Sequence, residues 1–413
     1  MDDGTDMPAV EPSPDAGLAA RRERRQNAAV RRRRRRTLLA VLAAFVLLLT
    51  PVAYSYISYM TRPSSLGWWP NTVEWIRANH GNWLVDTAEH YYYSWTAPSK
   101  GGPQLKTLPT VGVEPARTVT ARLTPTHHRR ETPWPPRIRP VFAHPLPGEG
   151  VWHGTGPIVD GRPPVLVTTF RTEVDYPRIV AYVAWFDHTR TSLAFYPGRY
   201  EPPSAPVRGP MEVPQGQRWR LYATFNGGFI HTDTNNGSSI NGSLYEPLTP
   251  GLATMLSYRD GRVDIRTWNG GPVAGPNVAF ARQSLALIID HGRLSPALND
   301  SSQWGYTLGN AVRVWRTGAG VDRRGNIIYA AADAQTVITL ARILQRAGAV
   351  RAMELDINPE WPTLNTYAHH GGLDPVMVVP NYQQSPTRYL VPDDRDFFAV
   401  YRRTPGPFAV PFR

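Results

Sequence analysis

The fold is decided by residues 312–357, which read VRVWRTGAGVDRRGNIIYAAADAQTVITLARILQRAGAVRAMELDI. Apolar runs in this segment are interrupted by a glycine turn and then by a helical pattern. It therefore predicts strand, turn, strand, helix and strand in succession. The predicted strands and turn are Val312–Arg316, Arg324-Gly325, Asn326–Ala331 and Arg351–Ile357.

The helix of this segment is predicted over Ala334–Ala347, with Asp333 as its N-cap and Gly348 as its stop. Apolar residues recur there at the three- and four-residue spacing that places them on one helix face. We expect that face to pack on a sheet, and it consists of Val337, Leu340, Ala341, Leu344 and Ala347.

Strand-like runs continue on both sides of this segment, and Asp260-Gly261 predicts a further hairpin turn. No periodic repeat is visible. We therefore predict a single α+β domain over residues 163–404, dominated by antiparallel sheet, with one clear helix late in the chain. The additional strand-like runs are Val165–Phe170, Ile179–Phe186, Leu193–Tyr196, Arg218–Phe225, Ala253–Tyr258, Val263–Trp268, Leu285–Asp290 and Phe397–Tyr401.

A transmembrane helix is predicted before this domain at residues 37–60, which contain no charged residue. At 1.5 Å per residue the run reaches roughly 36 Å, enough to cross a hydrocarbon core of ~30 Å. Residues 1–36 carry ten arginines, so the positive-inside rule places this tail in the cytoplasm and the domain outside. A cleaved signal peptide is the alternative, although no clear cleavage motif follows the apolar run.

Two further segments separate the predicted span from the domain. Residues 61–97 predict a juxtamembrane helical region, capped by Asn71 and divided at Gly81, which either packs on the domain or lies in the membrane interface. Residues 98–162 are rich in proline and predict an extended, stiff spacer.

Composition excludes several classes of site. The formal net charge is +12 at pH 7, which favours anionic partners. We predict no nucleic-acid partner, because the arginine run leads directly into a membrane span. The chain has no cysteine, so disulfides, thiolate nucleophiles and cysteine-ligated metals are excluded. It also lacks a P-loop, a dinucleotide fingerprint and a nucleophile elbow.

Two glycine-rich segments are candidate binding loops. Asn226, Gly227 and Gly228 follow a predicted strand, and a turn there would expose backbone amides to an oxyanion or a sugar hydroxyl. Asn241 ends the polar loop 235–242, which could contribute further contacts to a sugar. The alternatives are a tight strand-to-loop corner and an ordinary loop.

Arg316 and Thr317 form a third candidate, since they end a predicted strand and precede two glycines. A guanidinium binds phosphate through paired hydrogen bonds, and small neighbours allow close approach. The alternative is a surface arginine beside a turn.

The fourth candidate is the acidic segment 353–361. Alternate residues of a strand share a face, so Glu354 and Asp356 would lie about 7 Å apart on one side. Such a pair suits glycosidic chemistry, because mutual repulsion separates the two pKa values. Glu360 is a further candidate partner, and Trp361 would stack under a sugar ring or belong to the core. A solvated strand face is the alternative.

The order of these segments resembles the phosphodiester glycosidase family. That family includes the lysosomal enzyme that removes N-acetylglucosamine from its phosphodiester on mannose, and bacterial members occur as exported envelope proteins. Its N-G-G-F-F motif corresponds to Asn226–Phe229, with Ile230 in place of the last aromatic residue, and its R-T-A-x-G motif corresponds to Arg316, Thr317 and Gly320. Its L-D-G-G-G-S motif corresponds only to Leu355 and Asp356, since residues 357–360 replace the glycines and serine.

The resemblance implies a membrane-anchored hydrolase that cleaves a sugar-1-phosphodiester in cell-envelope glycan or exopolysaccharide. It assigns catalysis to Asp356 with Glu354 or Glu360, and binding to Arg316 and the amides of 226–228. The alternative is a non-catalytic binder of anionic wall or capsule glycan. We predict no cofactor; the three carboxylates would suit calcium or magnesium if a metal were used. The expected partners are the cytoplasmic membrane and a glycan.

Overall fold

The structure is a computed structural model that describes residues 14–109, 111, 133–204, 209–299, 304, 313–381 and 384–411. The chain divides into two compact units, Met1–Pro63 and Ser64–Arg413. Parts of the predicted arginine-rich tail and of the predicted spacer lie outside the described residues.

The first unit consists of one helix, α1, at Pro14–Thr61, which contains the whole predicted span. Its segment Arg24–Thr61 is long and apolar enough to cross a membrane, and its apolar window is fully exposed. A helix that is apolar on all sides needs an apolar solvent or an apolar partner. By length and composition, α1 is therefore a candidate membrane span.

The second unit begins with two helices, α2 at Trp68–Ala78 and α3 at Asn82–Thr96. They divide at Gly81, as predicted. A Cβ on Gly81 would lie 2.4 Å from Ile76 Cγ2, so only glycine allows the chain to turn this closely.

Asn71 is not the N-cap that the sequence predicted. The helix already begins at Trp68, with Gly67 at its N-cap position, and Asn71 is buried inside α2. The prediction missed this start because Gly67, at the N-cap position, has no side chain that could indicate a cap.

Three antiparallel sheets make up most of the second unit, which confirms the predicted α+β class. The strands are β1 His153–Thr155, β2 Val165–Arg171, β3 Val180–Phe186, β4 Thr191–Tyr196, β5 Leu221–Asn226, β6 Ser238–Ile240, β7 Ser243–Glu246, β8 Ala253–Tyr258, β9 Val263–Thr267, β10 Val278–Gln283, β11 Leu287–Asp290, β12 Arg293–Leu294, β13 Val314–Val321, β14 Ile327–Gln335, β15 Arg351–Glu354, β16 Leu364–Tyr367, β17 Pro375–Met377 and β18 Phe397–Arg402. One sheet has eight strands in the order β1-β2-β3-β14-β13-β15-β11-β12. The two five-stranded sheets have the orders β7-β6-β10-β8-β9 and β17-β16-β5-β18-β4.

The eleven predicted strands are all present, with shifted ends. The segment at 218–220 belongs instead to a 3-10 helix at Gln215–Arg220. Seven strands were missed, namely β1, β6, β7, β10, β12, β16 and β17. All of these except β10 have four residues or fewer, too short for an alternating pattern to be recognised.

The eight-stranded sheet is buried on both faces. Successive residues of β14 enter opposite cores, because a strand projects its side chains alternately to its two sides. One core lies among the three sheets and the other lies under the helix α5 at Val337–Arg346; a short helix, α4 at His231–Thr234, precedes α5 in the chain. The first receives Ile327, Tyr329 and Ala331, and the second receives Ile328, Ala330 and Ala332.

Helix α5 is the late helix that the sequence predicted, and its predicted apolar face is buried. Its N-cap is Thr336, whose hydroxyl and backbone form a reciprocal pair with Thr339. The predicted cap, Asp333, lies in β14 instead, because this strand continues to Gln335. Gly348 follows the helix with a φ of 103°, the left-handed conformation expected at a helix stop.

The glycines of β13 serve helix packing. A Cβ on Gly318 would lie 2.9 Å from Leu344 Cδ1 and 3.0 Å from the backbone oxygen of Met353. A Cβ on Gly320 would lie 2.7 Å from the Cβ of Ala349. The sequence assigned these glycines to a ligand's close approach, whereas they allow α5 and β15 to approach the strand.

We expect Gly318→Ala to destabilise the second unit by about 1–3 kcal/mol, because the added methyl overpacks the contact between β13 and α5. Gly271→Ala is the matched control, since a Cβ there meets nothing within 4 Å. Urea unfolding of both variants measures the difference. Equal free energies of unfolding for the two would contradict this account of β13.

Candidate active site

The side chain of Asn226 joins the strands around the candidate active site. Its Nδ2 donates to Thr317 Oγ1 at 2.9 Å and to the backbone oxygen of Gly227 at 2.9 Å. Its Oδ1 accepts from the Tyr329 hydroxyl at 2.7 Å and from the Thr363 amide at 3.2 Å. Asn226 is therefore a structural junction, fully used within the protein, at the end of β5.

Asp356 is held at this junction by its backbone. The hydroxyl of Thr317 donates to the backbone oxygen of Asp356 at 2.6 Å, and the Asp356 amide donates to the backbone oxygen of Gly227 at 3.2 Å. The prediction that β15 continues through Ile357 is wrong, since the strand ends at Glu354. Asp356 thus lies in the irregular segment that follows, tied to β5 and β13.

Arg316 and Glu354 form a buried ion pair across β13 and β15. Arg316 Nη1 lies 2.6 Å from Glu354 Oε1, and Arg316 Nε donates to the backbone oxygen of Gln335 at 2.8 Å. Burial raises the pKa of Glu354 to about 7, an effect that Arg316 opposes and the charge of Asp356 reinforces. Each partner therefore already has a counterion inside the protein.

The segment from Asp356 to Glu360 forms a turn built on Asp356 and Asn358. The Asn358 amide donates to Asp356 Oδ1 at 3.0 Å, and Asn358 Oδ1 accepts from the Glu360 amide at 3.1 Å. Asparagine side chains commonly form such turns. Pro359 fits here, because neither hydrogen bond needs its missing N–H.

Two carboxylates of this turn have raised pKa values. Burial raises the pKa of Asp356 to about 6, although Arg395 opposes the shift, and 8 % of the residue remains exposed. Burial and the neighbouring charge of Glu74 raise the pKa of Glu360 to about 7, again against Arg395. Both groups can therefore gain or lose a proton near neutral pH, as acid–base chemistry requires.

Arg395 is the cation that faces these carboxylates. Its guanidinium lies 3.8 Å from Glu74 on α2 and 4.8 Å from the centre of the Trp361 ring. Burial lowers the pKa of Arg395, but the carboxylates around it, including Glu74 and Asp356, raise it by more. The net pKa therefore lies above the usual value for arginine. Arg395 therefore stays charged and can bind an anion.

Trp361 lies in the core beside this arginine. Only 1 % of the residue is exposed, and the guanidinium of Arg388 lies 5.0 Å from the ring centre. The ring therefore supports two arginines and offers no open face for a sugar.

A second buried network adjoins Gly227. Arg282 Nε lies 2.5 Å from Asp396 Oδ2, and the guanidinium also reaches Glu201 at 3.6 Å. Burial raises the pKa of Glu201 to about 8 against the opposing charge of Arg282, and burial raises the pKa of Asp396. Arg282 also contacts Asn236, which fixes the loop after Phe229.

The two glycines after Asn226 have different environments. The Gly227 amide donates to the backbone oxygen of Asp396 at 3.0 Å, and a Cβ on Gly227 would lie 1.9 Å from Oδ1 of the Asp396 carboxylate. The Gly228 amide donates to none of the residues that the structure describes. A Cβ on Gly228 would lie 3.5 Å from the buried Ser284 hydroxyl, which likewise has no partner among the described residues. The Gly228 amide and the Ser284 hydroxyl are thus hydrogen-bond donors without an acceptor among the described residues.

Asn241 contributes to a different part of the fold. Its side chain donates to the backbone oxygen of Val410 at 2.9 Å and accepts from the Val410 amide at 3.0 Å. These bonds attach the C-terminal segment to the turn between β6 and β7.

Helices α2 and α3 cover this group of residues. Tyr93 of α3 packs on the apolar cluster of Phe229, Val314 and Ile357. Glu74 of α2 reaches Arg395. Among the described residues, no group of three or more histidine and acidic side chains is placed to hold a metal ion.

Sequence comparison identifies the family of this region. Residues 220–356 match the family model described as phosphodiester glycosidase. This region of the chain is therefore similar to phosphodiester glycosidases. The matched region ends at Asp356, so it contains Asn226, Arg316 and Glu354 but not Arg395. No curated protein matches the chain.

Solved structures resemble the glycosidase domain only distantly. The catalytic domain of zebrafish N-acetylglucosamine-1-phosphodiester alpha-N-acetylglucosaminidase, auto-inhibited by its pro-peptide, is 15% identical; the match covers 60% of this chain and 87% of that one, with a TM-score of 0.43. A hypothetical protein from Synechocystis is 12% identical over 59% of this chain and 63% of its own, with a TM-score of 0.35.

Sequence reasoning missed the second half of the site, which consists of Arg395, Asp396, Arg282, Glu201 and Ser284. A signal was present at residues 393–396, which read DDRD immediately before the predicted strand at Phe397. Consecutive charges before a strand that is buried on both sides indicate buried ion pairs. Glu201 and Arg282 gave no such signal, because neither is adjacent to another charged residue in the sequence.

We expect Gly227→Ala and Gly228→Ala to differ sharply in stability. The alanine methyl at 227 collides with the Asp396 carboxylate and should cost at least ~2 kcal/mol, whereas the one at 228 meets only ordinary contacts and should cost under ~1 kcal/mol. Thermal unfolding of the two variants tests this. A Gly227→Ala protein as stable as the parent would show that Asp396 is not fixed here.

We also expect Asp356→Asn to stabilise the protein at high pH and not at low pH. The folded-state pKa of about 6 lies above the value of 3.8 that is usual for an exposed aspartate, so the stability contributed by the protonated group is lost as pH rises through about 6. Removing the charge should therefore add about 1–3 kcal/mol at pH 8 and nothing near pH 4.

Melting curves from pH 4 to pH 8 measure this difference. Asp290→Asn is the matched control, because the Asp290 side chain is 47% exposed. A stability difference for Asp356→Asn that does not change with pH would refute the raised pKa.

Proposed function

We propose that this chain is a membrane-anchored hydrolase that cleaves the glycosidic bond of a sugar-1-phosphodiester. The observation that carries the proposal is the position of Asp356. Its titratable carboxylate lies at the end of the matched glycosidase region, fixed to β5 and β13 and next to the charged guanidinium of Arg395.

In the proposed reaction, Arg395 binds the phosphate and thereby orients the sugar toward Asp356. Water attacks the anomeric carbon, the bond from that carbon to the phosphate oxygen breaks, and the phosphate monoester leaves. The proton of the water passes to a carboxylate and then to solvent. Phosphate leaves as a stable anion, so its departure needs less protonation than that of an ordinary alcohol.

Asp356 is the carboxylate that we assign to the anomeric carbon, either as base or as stabiliser of the positive charge that develops there. Glu360 is its partner, since its pKa of about 7 suits a group that exchanges protons at neutral pH. Glu354 acts through Arg316, whose ion pair fixes the neighbouring strands.

The remaining predicted site residues are assigned by their contacts. Gly228 would donate to a sugar hydroxyl or to a phosphate oxygen, because its amide has no partner among the described residues. Ser284 lies beside Gly228 but is completely buried, so we assign it no contact with the ligand. Asn226, Thr317 and Trp361 position the binding groups without binding the ligand themselves.

For localisation, we propose that α1 crosses the cytoplasmic membrane with its arginine-rich end inside, so the glycosidase domain lies outside. Its substrate would then be a phosphodiester-linked sugar of cell-envelope glycan or exopolysaccharide. The charge asymmetry around the apolar segment of α1 supports this orientation.

The test uses the purified chain and an N-acetylglucosamine-1-phosphodiester, with free sugar as the readout. We expect the parent to release sugar, Asp356→Asn to lose at least a hundredfold in rate, and Asp290→Asn to keep the parent rate. Reaction in ¹⁸O-labelled water should place the label in the sugar, because the carbon–oxygen bond breaks.

Label in the phosphate would instead indicate phosphodiesterase chemistry at phosphorus. A folded Asp356→Asn variant with full activity would remove Asp356 from the mechanism.

A non-catalytic binder of anionic glycan is the second candidate function. The replacement of the family's glycine turn by residues 357–360 favours it, because that turn lies beside Asp356. Saturable binding of phosphorylated glycan without sugar release, lost in Arg395→Gln, would identify this function.

A further inference from the structure

The helical hairpin α2–α3 (residues 68–96) has two faces of opposite character. Its inner face packs on the glycosidase domain, with Val85 buried and Tyr93 on the cluster of Phe229 and Ile357. Its outer face carries large aromatic side chains, and Trp95 is 90% exposed.

The two faces of α3 follow from helix geometry, since each residue advances by about 100°. Relative to Trp83, the exposed Leu84, Tyr91 and Trp95 fall within roughly 120° of one another. The less exposed residues of α3 fall on the opposite side, at roughly 200–300°. Val85 is buried and Tyr93 packs on the domain, while Asp86 and Glu89 face Arg77 of α2.

This outer face concentrates the exposed apolar surface of the second unit. Seven of the fourteen large hydrophobic side chains exposed among its described residues lie in these 29 positions; the other seven are scattered from Trp134 to Val391. A soluble protein rarely leaves such a patch uncovered. The seven are Trp68, Trp69, Trp83, Leu84, Tyr91, Tyr92 and Trp95.

Chain connectivity limits where this face can lie. Helix α1 ends at Thr61, and Ser64 already donates to Asp394 Oδ2 at 2.5 Å, while the Ser65 amide donates to the same oxygen at 2.9 Å. The hairpin begins at Trp68. Seven extended residues span at most about 25 Å, so the hairpin starts within that distance of the end of the candidate span.

We propose that the outer face of α2–α3 binds the lipid–water interface of the membrane that α1 crosses. Tryptophan and tyrosine favour this region, because their rings are apolar while their N–H and O–H groups remain hydrated. The outer face consists mostly of these two residue types, and α2 begins seven residues after the end of the candidate span in the sequence. The inference rests on the anchoring part of the proposed function and not on catalysis.

The inner face gives this contact a functional consequence. Glu74 of the hairpin pairs with Arg395, so the element that binds the membrane also forms a wall of the candidate active site. The site therefore lies beside lipid headgroups, where it meets sugar phosphodiesters that are carried on lipids.

The test exploits the absence of cysteine from the chain. Single cysteines at Ala88 and Ser94, both exposed on the outer face, take an environment-sensitive fluorophore while every aromatic residue is kept. Ser243→Cys, exposed on β7, is the matched control, and Val46→Cys reports on α1. The full-length chain is reconstituted in phosphatidylcholine–phosphatidylglycerol vesicles containing lipids with a nitroxide in the headgroup region or deep in the acyl chain.

We expect headgroup nitroxides to reduce fluorescence at least twofold at positions 88 and 94 but not at 243, and deep nitroxides to quench position 46. The double variant Trp83→Ser/Trp95→Ser, checked for an unchanged melting temperature, should lose the quenching at 94. Quenching of the labels at 88 and 94 by iodide but not by nitroxide lipids would show that the outer face lies in water and would overturn the inference. Self-quenching between labelled protein molecules in vesicles without nitroxide lipids would show that the face binds a second copy, and would overturn it as well.

The control on α1 separates this inference from the proposed function. Quenching at 46 without quenching at 88 or 94 refutes membrane binding by the hairpin and leaves the anchor intact. Absence of quenching at 46 refutes the anchor, and the hairpin inference fails with it.

Discussion

The rest of the candidate site depends on the side-chain amide of Asn226. Its two hydrogens and its oxygen lone pairs connect β5, β13, β14 and the segment at Thr363, so one group fixes four parts of the chain. An aspartate could not donate to Thr317, and an apolar residue would leave several buried groups unpaired, each at a cost of about 1–3 kcal/mol. Since Thr317 in turn holds the backbone of Asp356, the position of the proposed catalytic carboxylate follows from this amide.

Two arginines of the site have opposite electrostatic situations. Arg316 is neutralised by Glu354 at 2.6 Å, so its charge is satisfied inside the protein. Arg395 is surrounded by several acids, and its ion pair with Glu74 is longer, at 3.8 Å. A charge that is shared among distant carboxylates remains available to an incoming anion, whereas a charge in a short buried pair does not. This difference is why we assign phosphate binding to Arg395.

Sequence patterns predicted the local structure of this protein better than its site. The late helix, its apolar face and the hairpin turn at Gly325 could be predicted, because each depends on residues close together in the chain. The roles of Arg316 and Glu354 could not be separated from sequence, because they pair across 38 positions. Arg395 and Asp396 were missed for the same reason: their significance comes from contacts with Glu74 and Arg282, which only the tertiary fold brings near. Asp356 could be proposed from the sequence because the motif on which it rests is local.

The attachment of Ser64 and Ser65 to Asp394 has a mechanical consequence. Both hydrogen bonds hold Asp394, which immediately precedes Arg395, so the segment that follows α1 is fixed to the loop of the site. In a fragment that lacks these two serines, residues 393–396 would have more conformational freedom. Ligand binding would then have to offset the entropy cost of ordering them, a cost that the two hydrogen bonds from Ser64 and Ser65 reduce in the full chain. The two hydrogen bonds from Ser64 and Ser65 to Asp394 therefore contribute to the preorganisation of the site.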